Sequence, residues 1–438
     1  MRFRSLIAGF VGVLLGCGLT AVCAAEDGGG LGRLGQSLAE DLHGFWDTRA
    51  GVRTQSDSES QSVSMLETRL QLSWQHDWDA ATLRLVPDFI YDDVEQHRDI
   101  DLEDGQGWLD LREANLMLRP AEFMDVKLGR QILTWGTGDL LFINDLFPKD
   151  WNAFFCGRDQ EYLKAPSDAL KVSLFHGVAN LDLVYVPRFD SDRYIDGRRL
   201  SYWNSALGRR AGDDDRIRAD PPDDWFDDAE MAARLYRNLR GYEMALYGYH
   251  GFWKSPGGMD PGRGVAIFPE LNVLGASLRG TVGRGIAHAE VGYYDSAEDR
   301  AGDDPMVRND EARALLGYEQ DLWSECTLGL QAYVEWMQDY EDYRRTLPPG
   351  ARATDEWRQV VTARLTQKLL QQNLTLSLFA YVAPTDADAY LRPSAAYKVN
   401  DRWLVEVGGN WFLGRDPWTF FGQFERNSNV YAAVRCSW

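Results

Sequence analysis

Past its first twenty-odd residues the chain has no long apolar run. No stretch there reaches the ~18 to 20 apolar residues that a transmembrane helix needs, which excludes a helical membrane protein. The chain is also poor in positive charge. It has 46 Lys and Arg against 67 Asp and Glu, a formal net charge of -21, and that balance argues against nucleic acid as a partner. Cysteine is scarce. Of the five, Cys17 and Cys23 lie in or beside the apolar N-terminus, and Cys156, Cys326 and Cys436 suggest no disulfide framework. The six histidines, His43, His76, His97, His176, His250 and His288, include no pair at metal-ligand spacing. No serine stands in a nucleophile-elbow setting. No cofactor is called for.

The N-terminus reads as an export signal. Arg2 and Arg4 precede an apolar segment from Leu6 to Leu15, and Val22-Cys23-Ala24 has the small residues of a cleavage site. Residues 1–24 are thus assigned to the signal. A competing pattern, Leu14-Leu15-Gly16-Cys17, fits a lipobox in which Cys17 would be lipidated. Residues 25–41 form a periplasmic leader, and 42–438 remain for one folded unit.

What fills that unit is alternation. Val430, Ala432, Val434, Cys436 and Trp438 fall on one side of an extended chain, with Tyr431, Arg435 and Ser437 on the other. Similar segments recur at 42–53, 63–75, 80–91, 109–119, 124–134, 168–176, 180–187, 228–238 and 240–250. They continue at 271–282, 285–295, 311–321, 325–337, 355–369, 372–383, 391–399, 402–413 and 428–438. That makes about eighteen strands, an even number. The gaps between them alternate: short ones such as Leu239, Gly283-Arg284 and Asn400-Asp401 separate long ones such as 92–108, 135–167 and 188–227. Outer-membrane barrels have short periplasmic turns and long outer loops. A soluble sandwich or propeller has no reason to keep that parity. The expected fold is therefore all-β, a transmembrane antiparallel barrel of about eighteen strands in a bacterial outer membrane.

Alternation also assigns faces. Leu66, Thr68, Leu70, Leu72 and Trp74 would meet lipid, as would Leu328, Leu330, Ala332, Val334 and Trp336. Trp46, Trp74, Trp78, Tyr91, Tyr293, Trp323, Trp336, Trp403, Trp411 and Trp438 cluster near strand ends, as interfacial girdles do. By parity the inward charges include Glu67, Arg69, Arg84, Glu113, Arg119, Lys171, Asp182, Glu230, Arg234, Glu243, Glu290, Arg313, Glu319, Glu335, Arg364 and Glu406. Their mixed signs do not make a single-signed filter. Some are cross-strand pairs that brace the wall.

The loop 135–167 is apolar for an outer loop: Trp135-Gly-Thr-Gly-Asp-Leu-Leu-Phe-Ile-Asn-Asp-Leu-Phe-Pro-Lys-Asp-Trp, then Asn-Ala-Phe-Phe-Cys. Exposed on a cell surface it would be an association hazard. It is expected either to fold into the barrel mouth, bringing Asp139, Asp145 and Lys149 to a constriction, or to pack against other outer loops. Acid clusters such as Asp213-Asp214-Asp215 and Asp223-Asp224 read as solvated loops that could share divalent cations with lipopolysaccharide. Gly30-Leu-Gly32-Arg-Leu-Gly35 has no preceding strand, so it is no dinucleotide fingerprint. Asp99, Asp101, Glu103 and Asp110 echo a calcium loop, but Asp104 stands where glycine is needed.

Gly129-Arg130-Gln131-Ile132-Leu133-Thr134-Trp135-Gly136 resembles a recurrent element of porin-like outer-membrane proteins, nearest to the alginate-export type. The resemblance implies a large barrel with a charged, arginine-bearing lumen, and places Arg130 at the base of the constriction loop. The mixed inward charges and acidic balance depart from an alginate-specific pattern. The closing strand, with Val434, Cys436 and Trp438, resembles the signal read by the outer-membrane assembly machinery. The expected function is a porin-like, non-enzymatic channel for a polar or charged solute or polymer, with outer-membrane lipid and lipopolysaccharide as surroundings. Two alternatives stay open: a hydrolase on the barrel wall, and a closed accessory barrel that binds a partner through its outer loops.

Overall fold

The computed structural model describes residues 41–95 and 99–438. The export signal, the lipobox, nearly all of the leader and His97 fall outside the described residues.

Eighteen antiparallel strands form one closed sheet. They are β1 (Leu42–Arg53), β2 (Val63–Asp77), β3 (Ala81–Asp92), β4 (Leu109–Ala121), β5 (Met124–Ile132), β6 (Pro166–Leu174), β7 (Asn180–Val186), β8 (Glu230–Leu239) and β9 (Tyr242–Phe252). The circuit continues with β10 (Glu270–Val282), β11 (Gly285–Ser296), β12 (Glu311–Trp323), β13 (Cys326–Met337), β14 (Trp357–Leu369), β15 (Leu374–Ala383), β16 (Asp388–Lys398), β17 (Trp403–Gly414) and β18 (Asn429–Ser437). Each strand pairs with its sequence neighbours, and β18 closes on β1, with Trp46 opposite Cys436 and Thr48 opposite Val434. The seam continues to the last residue, where Gly44 and Trp438 exchange backbone hydrogen bonds of 3.2 and 3.0 Å. Closure leaves no sheet edge, the condition for a sheet to span lipid.

Every strand expected from alternation is present, with no end shifted by more than three residues. The parity of the gaps holds with one exception, the β15–β16 connection at 384–387, which lies on the loop side but is only four residues long. One rim carries only turns of two to five residues. At Arg240-Gly241 both φ angles are positive, 53° and 85°, as a two-residue hairpin turn of the primed type requires. The opposite rim carries the longer loops. Among the described residues no helix is long and apolar enough to cross a membrane.

Solvent exposure is inverted relative to a water-soluble protein. In β15, Leu376, Leu378 and Val382 are exposed, while Phe379, Tyr381 and Ala383 are buried. Leu274 is 72 % and Leu316 64 % exposed, yet Glu67, Arg69, Glu230 and Glu290 are buried. A continuous outward apolar band over an ion-paired interior is stable in lipid and unstable in water. Aromatics mark both margins of the band. Trp78 and Trp323 stand exposed at the short-turn rim, and Tyr91, Tyr293 and Trp336 at the loop rim. Trp108, stacked on Phe89, and Trp357, stacked on Trp336, join the loop-rim girdle.

The interior differs from a uniformly polar, wet lumen. Toward the loop rim the inward side chains include Tyr247, Tyr294, Leu315, Tyr333, Val360, Phe379, Tyr381, Tyr390 and Phe412. They form one core with Leu133, Trp135, Leu140, Ile143, Phe147, Phe154 and Phe155 of the segment joining β5 to β6. That segment contains a short helix, α1 (Trp151–Cys156). Asp150 caps it by accepting from the Ala153 N–H at 2.6 Å, and Gly157 ends it at φ 100°. Cys156 is buried in α1 against Met65 and Tyr431. None of Cys156, Cys326 and Cys436 is in a disulfide.

Candidate functional site: the barrel interior

The apolar segment reaches the far wall through a tip at residues 137–144. Glu290 on β11 accepts from the backbone N–H of Thr137, of Gly138 at 2.9 Å and of Asn144 at 3.3 Å, and from the Asn144 side-chain amide at 3.0 Å. Gln331 on β13 accepts from Asp139 N–H at 2.7 Å and donates to the Asp139 carbonyl at 2.8 Å. Arg364 on β14 forks onto the Asp139 carboxylate at 2.5 and 2.8 Å. Tyr294 and Tyr381 donate to the Ile143 and Leu140 carbonyls at 2.5 and 2.7 Å. Strand alternation is what aims all five side chains inward. A turn buried in an apolar setting must have its backbone groups paired, and these strands supply the partners.

The return of the segment runs along a charged wall. Arg69 sits between Glu67 at 3.0 Å and Asp88 at 2.6 Å, with its guanidinium 4.1 Å over the Tyr162 ring. Arg158 reaches Glu67 at 2.7 Å. Arg49 meets Asp47 at 2.8 Å and Glu406 at 3.3 Å. Arg435 meets Asp47, Asp159 and Glu161 within 3.2 Å. The next long loop adds Arg193, which forks onto Asp110, and Arg199, which pairs with Asp92. Removing one partner from such a buried pair strands the other charge, so these contacts fix where the loops lie.

Below the apolar core, toward the short-turn rim, lie smaller and more exposed pairs. Arg84 meets Glu113 at 3.0 Å, Lys127 meets Glu113 at 3.6 Å, Lys171 meets Asp182 at 3.5 Å and Arg234 meets Glu243 at 2.7 Å. Both signs recur around the wall, which sets up transverse fields rather than a filter of one sign.

The residues singled out from sequence fall in different places. Arg69, Arg84, Arg234, Glu243, Arg313, Glu335 and Arg364 face inward in ion pairs, with Arg313 at 2.6 Å from Glu311 and 3.9 Å from Glu335. Asp139 meets Arg364, whereas Asp145 and Lys149 pair with each other at 3.1 Å and are buried within the segment itself. Arg119 is exposed at the short-turn end of β4. Arg130 takes a structural place: it lies opposite Asp168, pairs with it at 2.8 Å, and donates to the carbonyls of Leu111 and Leu102. Its position on β5 is two residues beyond the outward Leu128, so it anchors the loop that carries Leu102. In the closing strand, Val434 is outward and exposed, while Cys436 is covered between Trp46 and Trp403 in register.

Sequence reasoning missed Gln331, Tyr294, Tyr381, Arg158, Arg193 and Arg199 as loop anchors. The first three could have been found, since they occupy inward positions of recognisable strands. The three arginines lie in loops without periodicity.

No known protein family matches the chain, and no curated protein does. Solved structures do. Acinetobacter baumannii OccAB3 superposes with a TM-score of 0.50 at 10 % identity, covering 91 % of this chain and 99 % of its own. The fold is that of a bacterial outer-membrane porin barrel. OccAB1 of the same organism gives 0.50 at 9 % identity, with 91 % and 96 % covered. A double mutant of Rh. blastica porin gives 0.41 at 11 %, with 91 % and 99 % covered. At these identities the likeness is one of fold alone.

Proposed function

We propose that this barrel is a channel for passive passage of a polar or charged solute or polymer across a Gram-negative outer membrane. The segment 135–167, folded into the mouth, is its constriction. The observation that carries the reading is the set of tethers from Glu290, Gln331, Arg364, Tyr294 and Tyr381 to the tip at 137–144. A wall that spends five inward side chains on one turn is built to hold that turn across the bore. The reading gives the barrel no catalytic residues. It keeps the resemblance of Gly129–Gly136 to alginate-export barrels at the level of a porin-like channel, because the inward charges are mixed. It also assigns Val434, Cys436 and Trp438 to recognition by the assembly machinery.

A closed accessory barrel has one observation in its favour, the aromatic core that joins the segment to β15–β17. Single-channel conductance in a planar bilayer separates the two. Under the channel reading, the refolded protein conducts steadily, and deletion of residues 138–160 raises the conductance. Arg364→Gln, which keeps the fold and removes the Asp139 clamp, gives a smaller rise or added flicker. No conductance in all three forms would overturn the channel in favour of a closed barrel.

A further inference from the structure

The longest outer loop, 188–227, joins β7 to β8 but does not stay on their side of the barrel. In the closed circuit of eighteen strands, β7 and β8 stand seven and eight strands from β18, close to diametrically opposite. Yet Ser201 donates its N–H to Asn427, in the connection leading into β18, at 3.2 Å. Asn427 returns its side-chain amide to the Ser201 carbonyl at 2.8 Å. Both residues are buried. Around this clasp, Trp203 N–H reaches the Gln423 side chain at 3.3 Å and the Ser201 hydroxyl reaches Asp57 at 2.6 Å. Arg53 of β1 donates to the Arg199 carbonyl at 2.6 Å. A short hairpin follows, Tyr202–Asn204 with Arg209–Ala211, and after it Gly212 lies so close to the Glu59 carbonyl that a Cβ has no room. The loop therefore crosses the whole mouth.

On its way across, the loop is seated on the constriction segment. Asp192 accepts from the Lys149 N–H at 2.7 Å and from the Trp151 indole at 2.9 Å. Trp151 N–H donates to the Arg193 carbonyl at 3.1 Å, and Arg193 N–H to the Lys149 carbonyl at 2.9 Å. The Asn152 amide donates to the Tyr194 carbonyl at 2.9 Å. Leu200, Tyr202 and Ala211 of the loop join the same core as Phe154 and Phe155. Helix α1 thus has the wall on one side, where Phe155 packs 5.3 Å from both Tyr390 and Phe412, and the loop on another. Glu290, Gln331 and Arg364 hold the tip of the segment sideways, whereas the loop holds its helix down. The near end of the loop continues two wall strands and is fixed by them. The far end is held by side chains and single hydrogen bonds, which water can replace at small net cost.

We propose that the loop 188–227 is a lid that locks the segment 135–167 into the mouth, and that the channel opens by release of the lid's far end from Asn427, Gln423 and Asp57. The lid swings on β7 and β8, and only then is α1 free to leave the bore. The gating role rests on the channel reading, but the lock itself does not, because it is read from the accessibility of a residue beneath the lid. Cys156 of α1, buried against Met65 and Tyr431, is that residue.

The test labels the refolded, detergent-solubilised protein with N-ethylmaleimide and follows the Cys156 adduct by peptide mass mapping, which separates it from Cys326 and Cys436. Correct folding of each variant is checked first by its heat-dependent gel shift. Asn427→Ala, which opens the clasp, should speed Cys156 labelling about ten-fold over wild type. Gly212→Val, which changes only the loop and crowds it against Glu59, should speed it severalfold and carries the test if Asn427→Ala does not fold. Glu290→Ala frees the tip but leaves the lid seated, so Cys156 should stay as protected as in wild type. Unchanged labelling in the folded lid variants would overturn the lock. So would equal acceleration by Glu290→Ala, since the segment would then move without the lid. In bilayer recordings Asn427→Ala should raise the open fraction severalfold. Fast labelling in lid variants that never conduct would keep the lock and refute the channel. Conductance that rises in Glu290→Ala but not in Asn427→Ala would keep the channel and overturn the loop as its gate.

Discussion

Glu290 holds the tip of the segment as a single carboxylate that takes four donors from Thr137, Gly138 and Asn144. Hydrogen bonds to a charged group contribute about 1.5–3 kcal/mol each, and the loss of several from one turn is felt jointly. Glu290→Ala is therefore expected to weaken the hold on the tip by on the order of 3 kcal/mol, while the wall hydrogen bonds stay intact. Bilayer recordings should show larger or noisier unitary currents with an unchanged folded gel band. Currents identical to wild type would show that Gln331, Arg364, Tyr294 and Tyr381 hold the tip without Glu290. A second residue-scale expectation concerns acid. Burial pushes the Glu95 carboxyl up, but Arg199, Arg158 and Arg198 outweigh it and hold its pKa below the usual carboxylate value. A depressed pKa means the unfolded loop binds more protons than the folded one, so this contribution is complete above the unfolded value and disappears as pH falls through the folded one. Protease nicking of the loop 188–227, which carries Arg198 and Arg199, should stay constant from pH 8 to about 5 and accelerate below about pH 4, near the ordinary value for a Glu side chain. Acceleration beginning near neutrality would point to a different titrating group.

Among the elements, β12 and β15 show why the strands were legible. Leu316 alternates with Leu315, one outward and one buried, and Leu376 and Leu378 alternate with Phe379 and Tyr381. A period of two, repeated between turns of alternating length, is a property of the sequence alone. The outward positions also make a direct prediction. Leu316→Arg places a charge in the apolar band and should cost about 2–4 kcal/mol in a lipid bilayer if the site is near the midplane. Denaturant unfolding from vesicles measures it. A cost near zero would mean that Leu316 faces water. The loops were less legible, and the reason is physical. Arg193 meets Asp110, and Arg158 meets Glu67, across long stretches of chain with no periodic spacing to announce them. Arg130 looked like a lumen residue because its motif resembles one, whereas its register beyond Leu128 gives it to Asp168 and the carbonyls of a neighbouring loop. One signal did stand in the sequence unused. Phe379, Tyr381, Tyr390 and Phe412 fall on inward positions of the adjacent strands β15 to β17, with Tyr333 two strands away on β13, and a row of aromatics facing a bore calls for an apolar filling such as the segment 135–167.

At the scale of the whole molecule, two kinds of cohesion coexist, and they can be separated. The wall is held by a continuous backbone ladder that closes between β1 and β18. The filling is held to the wall by side chains and aromatic packing. Backbone pairing within lipid has no competing water, so the wall should behave as one cooperative unit. Deleting residues 429–438 exposes the edges of Leu42–Arg53 and Trp403–Gly414 together, and such a chain is expected to give no folded species at any temperature. Deleting residues 138–160 removes the tip and α1 but no ladder hydrogen bond of the wall. That chain should still run as two gel forms, a compact one when unheated and an extended one after boiling, with a lower conversion temperature than wild type. Should it run as a single extended form, the segment would be part of the folding core, and the constriction would have to be tested through Glu290 and Arg364 variants. Gly44 offers a finer probe of the same closure. A Cβ there would lie 2.5 Å from the Gln71 carbonyl and 2.9 Å from the Trp438 ring. Gly44→Val should therefore lower the conversion temperature by disturbing the seam, while Gly177→Val, at a short turn where a Cβ meets nothing within 4 Å, should leave it unchanged.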